Sequence, residues 1–186
     1  IVKFFGAELA ASLAGAGRGA DLLVANNVLA HVPEINDFVA GLAVLLNPAG
    51  VLTLEFAHLL ALIQNSEFDT IYHEHFSYLS LLTVEKILAR HGLRVFDVEQ
   101  IATHGGSLRI FACLDGARYP TEDSVGTVRA LEIRAQLHTE AGYQGFDARV
   151  RKVREHLVDF VRDARSKGKI IAGYGAAAKG NTLLNY

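Results

Sequence analysis

Residues 21–56 read DLLVANNVLAHVPEINDFVAGLAVLLNPAGVLTLEF, and this stretch decides the fold. Two short apolar runs, 21–26 and 51–56, predict strands that are buried on both faces, as in a parallel sheet. Between them, apolar side chains recur at helical spacing and stop at the Asn47–Pro48 pair, which predicts a helix and then a turn at 48–50. A strand, a crossover helix and a second strand indicate an α/β protein with a parallel sheet.

Two further strands are predicted downstream. Residues 93–101 and 107–114 alternate between apolar and polar side chains, and Gly105–Gly106 lies between them. We expect them to pair antiparallel across this loop and to add an antiparallel edge to the sheet. A helix precedes them, for which Thr83 is the predicted N-cap.

The chain divides into three predicted parts. Residues 1–115 hold the sheet, 116–168 begin with a polar linker and continue as two long helices, and 169–186 read as strand, glycine turn and the start of a helix. The chain contains no Met and its last helix has only just begun, so we expect a segment of a longer protein.

Composition narrows the class of protein. The chain has 186 residues and a net charge of −2, which gives no reason to expect binding to nucleic acid or to an anionic membrane. Cys113 is the only cysteine, so neither an internal disulfide nor a Cys-rich zinc site is expected within the chain. No apolar run reaches the roughly 18 residues of a membrane span, and no signal peptide is recognisable. We therefore predict a cytoplasmic protein.

The stretch FDTIYHEHFSY at 68–78 places Tyr72, His73, Glu74 and His75 side by side. A metal site is disfavoured, because no third ligand is evident nearby and because Ser77 breaks an HExxH pattern. Two interpretations stay open, a polar loop packed on the sheet and an acid–base centre. For the second, a histidine suits a general base and a neighbouring carboxylate can orient its ring.

Other polar residues follow strands or turns. Asn26, Asn27 and His31 come after the first predicted strand, where open α/β sheets bind ligands, although they could simply cap the strand and a turn. His104 and Arg109 flank the hairpin glycines and could contact a substrate or serve only the hairpin.

The stretch GYGAAAKGN at 173–181 is the last candidate site. Glycines between a strand and a helix let a phosphate approach backbone N–H groups, and Lys179 would add positive charge. The pattern is neither a dinucleotide fingerprint nor a complete P-loop, and close packing of strand and helix explains it equally well.

Together these motifs resemble the class I S-adenosylmethionine-dependent methyltransferases, and among them the sugar C-methyltransferases that act on nucleotide-linked keto-deoxysugars. The resemblance rests on residues 25–56, FDTIYHEHFSYLS, HGGSLR and GYGAAAKGNTLLNY. It implies part of a class I methyltransferase-like (Rossmann-like) sheet in 1–115, helices in 116–168 and the start of a second Rossmann-like domain in 169–186. It also implies that zinc belongs only to an N-terminal part, which is absent from this sequence together with the glycine-rich first cofactor motif.

The resemblance assigns roles to residues. It implies a nucleotide-sugar substrate and S-adenosylmethionine as cofactor. In the expected enolate mechanism His75 is the base with Tyr72 assisting, Glu74 orients His75, and His31 donates to the enolate oxygen; whether Tyr72 or His75 is the base stays open. The expected cofactor-binding residues are Phe4, Phe5, Asn26, Asn27 and Val28, and the expected substrate-binding residues are His104, Arg109, Gly173, Tyr174, Gly175, Lys179 and Asn181.

Two other functions compete with this hypothesis. The terminal glycine turn would also suit a nicotinamide-dependent oxidoreductase, although a full fingerprint and an acidic partner are missing. A non-catalytic binding module that keeps the fold without the cofactor loop is the third hypothesis. The sequence predicts no particular oligomeric state.

Overall fold

A computed structural model describes residues 1–175 and 177–186 of the chain. Helices and strands alternate through the first two thirds, and helices follow. The elements are α1 Ala7–Gly15, β1 Ala20–Asn26, α2 Ile35–Leu45, β2 Leu46–Ala57, α3 Leu59–Asn65, α4 Leu81–Ala89, β3 Leu93–Ile101, β4 Ser107–Leu114, α5 Asp123–Arg134, α6 Phe146–Ser166 and α7 Ala178–Asn185. Short 3₁₀ helices cover Leu29–His31, Phe68–Thr70, Thr103–Gly105 and Glu140–Tyr143.

The described residues form a four-stranded mixed sheet in the order β1-β2-β4-β3. β1 and β2 are parallel, whereas β4 lies antiparallel to both β2 and β3. The predicted α/β class and the antiparallel addition to a parallel pair are therefore confirmed. The carboxyl ends of β1 and β2 meet at one edge of the sheet, and the candidate site lies there.

The core lies around β2 and β4. Leu52, Leu54 and Phe56 of β2 are almost fully buried, as are Leu108 and Ile110 of β4. Helices α2, α4 and α5 contribute further side chains to the same apolar cluster. Burying each large apolar side chain stabilises the fold by roughly 1.5–3 kcal/mol, so this cluster holds the strand ends in place beneath the site.

The turn predicted at 48–50 is wrong. These residues belong to β2, where Ala20 pairs with Leu46 but Leu22 pairs with Val51, so that 47–50 bulge opposite Asp21. The Asn47 amide donates a 2.8 Å hydrogen bond to the Asp21 carboxylate, and this contact holds the bulge against β1. A contact between residues so far apart in sequence has no local signature.

The predicted N-cap is also wrong by one turn. Ser80 caps α4, and its hydroxyl accepts a 3.2 Å hydrogen bond from the Thr83 N–H. Helix α4 can begin before Thr83 because the N–H groups of Leu81 and Leu82 donate to the buried carboxylate of Glu132.

The strand predicted within 169–175 does not form. These residues pair with no strand in the described part of the chain, and Ile170 is 98% exposed. An extended segment needs a neighbouring strand to pair its backbone groups, and the four strands of the sheet pair only among themselves. The predicted glycine turn includes position 176, which lies outside the described residues. The helix predicted after it is present as α7.

Candidate active site

A cavity of about 280 Å³ opens at the carboxyl ends of β1 and β2. It gathers residues that are far apart in the sequence and that were singled out for different reasons. Its lining is Asn27, His31, Ala57, Thr70, Tyr72, Glu74, His75, His104 and Lys179. All four predicted catalytic residues therefore lie around one space.

Backbone hydrogen bonds fix the loop that carries the histidines. The N–H groups of Phe76 and Ser77 both donate to the Ala30 carbonyl, at 2.9 and 3.2 Å. The Nδ1 atom of His31 lies 2.8 Å from the Glu74 carbonyl. The loop after the 3₁₀ helix Phe68–Thr70 is thereby attached to the segment that follows β1.

The contact with Glu74 defines the tautomer of His31. A carbonyl oxygen only accepts, so His31 Nδ1 must carry the hydrogen. Nε2 is then an acceptor in the neutral ring and a donor in the imidazolium. His31 can therefore donate to a substrate oxygen through Nε2 when the ring is protonated.

The His75 ring lies between two other rings of the site. Its centroid is 4.6 Å from that of His31 and 4.6 Å from that of Tyr72, which it meets edge-on. Its Nδ1 is buried and has no hydrogen-bond partner within residues 1–175 and 177–186. Few groups around the His75 ring would therefore stabilise its protonated form.

The surroundings of His75 favour its neutral form. Burial lowers the pKa of His75 below its usual 6.5, and the nearby His31 lowers it further. The Thr70 backbone and the Glu74 carboxylate act in the opposite direction, and Lys179 adds a smaller lowering. His75 is therefore suited to accept a proton at neutral pH.

We predict that the His75 imidazole titrates below pH 6.5 in the folded chain. Because folding lowers the pKa, the unfolded chain binds more protons at His75 as the pH falls through 6.5. The stabilising contribution of His75 is accordingly full above that pH and declines below it. NMR titration of the His75 ring, compared with the urea-unfolded chain, measures the difference; a midpoint at or above that of the unfolded chain contradicts the prediction.

Glu74 contacts His31 rather than His75. Its main-chain carbonyl holds the His31 ring, and within the described residues its side chain makes no hydrogen bond to His75. The carboxylate acts on His75 through its charge, which opposes the lowering of the pKa. The expected role in orienting His75 stays a prediction.

The loop Thr103–Gly105 brings His104 to the cavity through unusual backbone angles. His104, Gly105 and Gly106 have φ values of +55°, +86° and +133°. The Gly106 carbonyl accepts a 3.0 Å hydrogen bond from the His58 N–H. A β-carbon on Gly106 would lie 2.7 Å from the Ala61 β-carbon, so the loop packs too closely on α3 for any side chain.

Replacing Gly106 with alanine is expected to reduce the free energy of unfolding by about 1–3 kcal/mol, because it combines backbone strain with overpacking. Gly116→Ala is the matched control, since a β-carbon there meets nothing within 4 Å. Urea unfolding measures both variants. Equal midpoints for the two would show that the Gly106 contact does not matter.

Arg109 lies outside the cavity lining. It stands in the middle of β4, opposite Glu55 on one neighbouring strand and Glu99 on the other. Its guanidinium donates to both carboxylates, at 3.0 and 3.3 Å. Its expected contact with substrate stays a prediction, and the observed contacts bridge three strands.

The expected cofactor residues divide among three places. Phe5, Asn26 and Val28 line a hollow of about 440 Å³ along β1, whose other lining residues are apolar. Asn27 lines the neighbouring cavity that holds His31 and His75, called the acid–base cavity below after its expected role. Phe4 is fully exposed and lines a separate hollow with Lys3 and Asp37.

The hollow along β1 fits part of S-adenosylmethionine. Its aromatic and aliphatic side chains suit the adenine ring, and the Asn26 amide can form a hydrogen bond with the polar edge of that ring. None of its lining residues is acidic, so a carboxylate for the ribose is not among them. The residues present would hold only one side of this cofactor.

The expected substrate-binding residues near the C-terminus lie in two different cavities. Gly173, Tyr174, Gly175 and Asn181 line a hollow of about 640 Å³. Lys179 instead reaches the cavity of the two histidines.

Sequence reasoning missed two residues, Glu132 and Thr70. Glu132 is fully buried and its carboxylate contacts His58 Nε2 at 2.9 Å, in addition to the two N–H groups at the start of α4. Thr70 lines the cavity, and its buried hydroxyl has no partner among the described residues. Thr70 stands two positions before Tyr72 in the stretch FDTIYHEHFSY, so its place in that motif could have identified it. Glu132 lies on a largely polar helix, where no local sequence signal distinguishes it from its neighbours.

Two further findings concern metals and membranes. In the described part of the chain, His, Cys, Asp and Glu side chains do not gather in groups of three or more that could hold a metal ion. Within residues 1–175 and 177–186, no helix has the length and apolar character needed to span a bilayer.

Comparison with solved structures gives only partial likenesses. One is magnesium protoporphyrin IX methyltransferase (ChlM) from Synechocystis PCC 6803 with bound SAH, at 22% identity and a TM-score of 0.40, covering 54% of this chain and 47% of that one. Another is a 16S rRNA (adenine(1408)-N(1))-methyltransferase mutant with SAM from Catenulisporales acidiphilia, at 18% identity and a TM-score of 0.40, covering 56% and 55%. Neither likeness bears on function at these scores.

Sequence comparison is more informative. Residues 102–186 match the family described as C-methyltransferase C-terminal domain. The chain is 37% identical over 180 residues, 97% of its length, to C-methyltransferase NovU of Streptomyces niveus, and it spans 43% of that protein. Residues 102–186 are therefore similar to the C-methyltransferase C-terminal domain family, and nearly the whole chain is similar to part of one C-methyltransferase.

Proposed function

We propose that this chain supplies the acid–base centre of an S-adenosylmethionine-dependent C-methyltransferase that acts on a nucleotide-linked keto-deoxysugar through an enolate. The observation that carries the proposal is the pair of His31 and His75. Their ring centroids lie 4.6 Å apart in one cavity, where the Glu74 carbonyl holds His31 Nδ1 and burial lowers the pKa of His75. Such a pair offers an acid and a base to one substrate.

Methylation at carbon requires a carbon nucleophile. His75 removes the proton from the carbon beside the ketone, the C–H bond breaks, and the electron pair moves onto the ketone oxygen. His31 Nε2–H, with Nδ1–H held by the Glu74 carbonyl, donates to that oxygen as negative charge develops. Tyr72, whose ring meets His75 edge-on, shares or assists the role of base.

S-adenosylmethionine, when bound, supplies an electrophilic methyl group. Phe5, Asn26 and Val28 would hold it along β1, next to Asn27 in the acid–base cavity. The adjacency of the two spaces supports a position for the carbon nucleophile near the end of β1, and positioning of this kind accounts for much of the rate of a displacement.

The substrate class rests on the terminal hollow. Gly173, Gly175 and Asn181 offer backbone N–H groups and an amide beside the start of α7, chemistry that suits the phosphates of a nucleotide sugar. The nicotinamide hypothesis needs a strand directly before the glycine turn, and residues 169–175 form none. The location in the cytoplasm stays a prediction.

Transfer of a ¹³C-labelled methyl group tests the proposal. The protein is incubated with labelled S-adenosylmethionine and a nucleotide-linked keto-deoxysugar, and NMR identifies the atom that receives the methyl group. A carbon-bound methyl is expected, together with binding of S-adenosylmethionine and not of NADH in parallel titrations. A methyl group on oxygen, or tight binding of NADH alone, would overturn the proposal.

A further inference from the structure

Helix α7 brings Lys179 to the acid–base cavity. The helix packs against the 3₁₀ helix Phe68–Thr70, and the ring of Tyr186 meets that of Phe68 with centroids 5.0 Å apart. The packing of α7 on this 3₁₀ helix brings α7 beside the loop that carries His75. Lys179 consequently lines the same cavity as His31 and His75.

The ammonium group of Lys179 lacks a fixed counter-charge. Within the described residues it makes neither a hydrogen bond nor an ion pair, although its side chain is half-buried. Glu74 is the acidic residue of the cavity lining, and the other titratable groups there are His31, Tyr72, His75 and His104. Tyr78 packs on His75 from outside that lining, with ring centroids 6.1 Å apart. The cavity thus holds one cation whose partner is not supplied by these side chains.

We propose that Lys179 belongs to the acid–base centre, where its ammonium stabilises the negative charge that develops on the substrate's ketone oxygen. This inference rests on the proposed function, because the negative charge is that of the enolate. It differs from a phosphate contact, since the glycine hollow and the acid–base cavity have different lining residues and Lys179 lines the latter.

Electrostatics supports this placement. A cation in a partly water-excluded cavity stabilises developing negative charge more than it would in bulk water. The positive charge of Lys179 also acts on His75. It lowers the pKa of His75, in addition to the larger effects of burial and His31, as expected for a cation close to the ring.

The first test is independent of activity. The His75 ring is titrated by NMR in Lys179→Gln, in Lys179→Arg and in the control Lys169→Gln, which removes an exposed lysine from the segment before the glycines. Far-UV circular dichroism verifies that each variant is folded. The titration midpoint of His75 is expected to lie at higher pH in Lys179→Gln than in the parent chain. In Lys179→Arg and in the control Lys169→Gln the midpoint is expected to equal that of the parent. An unchanged midpoint in Lys179→Gln overturns the inference.

The second test separates catalysis from binding. In Lys179→Gln the turnover of deuterium exchange beside the ketone is expected to fall about 10²-fold, as when one oxyanion donor is lost, and the Arg variant to recover part of it. A higher KM with unchanged kcat would reduce Lys179 to a binding contact and overturn the inference. If the parent protein catalyses no exchange while the His75 midpoint still shifts, the proposed function fails and the electrostatic coupling of Lys179 to His75 stands.

Discussion

Replacing His75 with alanine is expected to slow deuterium exchange at the carbon beside the substrate ketone by about 10²- to 10⁴-fold, the usual contribution of a general base. The variant removes the ring that burial and His31 keep neutral. His31 commits Nδ1 to the Glu74 carbonyl, whereas His75 Nδ1 is buried and has no partner in the described part of the chain. Exchange is followed by NMR in D₂O under saturating substrate.

The neighbouring His73 provides the matched control. It is exposed and lies outside the cavity lining, so His73→Ala is expected to exchange at nearly the parent rate. Tyr72→Phe separates the two candidate bases, because it removes the phenol and keeps the ring that packs on His75. Parent-like exchange in His75→Ala with loss in Tyr72→Phe would transfer the role of base to Tyr72.

Replacing Glu132 with alanine is expected to reduce the free energy of unfolding by about 3–5 kcal/mol, the range found when a buried pair loses one partner. Glu132 is fully buried, and its carboxylate accepts from the Leu81 and Leu82 N–H groups and contacts His58 Nε2. Alanine would leave two buried polar groups, the Leu81 N–H and His58 Nε2, and the part-buried Leu82 N–H without this partner, and each costs free energy when unsatisfied.

Two further variants make the Glu132 experiment specific. Glu132→Gln keeps the shape and one acceptor oxygen, so an intermediate loss is expected. Glu140→Ala removes an exposed carboxylate and is expected to change stability by no more than about 0.5 kcal/mol. Urea unfolding gives all three values. A midpoint for Glu132→Ala equal to that of Glu140→Ala would show that the buried cluster contributes little.

The strands could be predicted where local pattern decides the structure. Residues 93–101 and 107–114 form β3 and β4 with the predicted bounds, because alternation of apolar and polar side chains records which face is buried. The bulge at 47–50 could not, since it depends on the hydrogen bond between Asn47 and Asp21. The strand expected within 169–175 failed for a related reason, because a strand needs a partner that the local sequence does not specify.

Some residues of the candidate site could likewise be predicted from local sequence, whereas others depend on tertiary packing. Tyr72, Glu74 and His75 could be identified together because they lie within four positions, and His31 because it follows a strand. The contacts of Arg109 with Glu55 and Glu99 depend on the register of three strands, which the sequence does not reveal. Lys179 reaches His75 only through the packing of α7 on the 3₁₀ helix at Phe68, more than 100 positions away.

The predicted division into 1–115, 116–168 and 169–186 stays a prediction. Val125 and Val128 of α5 lie in the same apolar cluster as the strands of the first part. Glu132 on the same helix joins the start of α4, so the second part is packed on the first and contributes to the stability of the site.

Isotope exchange by the unaltered protein tests the central claim most directly. A nucleotide-linked keto-deoxysugar is incubated with the protein in D₂O, and NMR follows the proton on the carbon beside the ketone. If His31 and His75 convert the substrate into an enolate, deuterium replaces that proton much faster than it does without protein. The exchange rate is also higher above pH 6.5 than below the lowered pKa of His75. Exchange at the protein-free rate, with methyl transfer still occurring, would contradict the account.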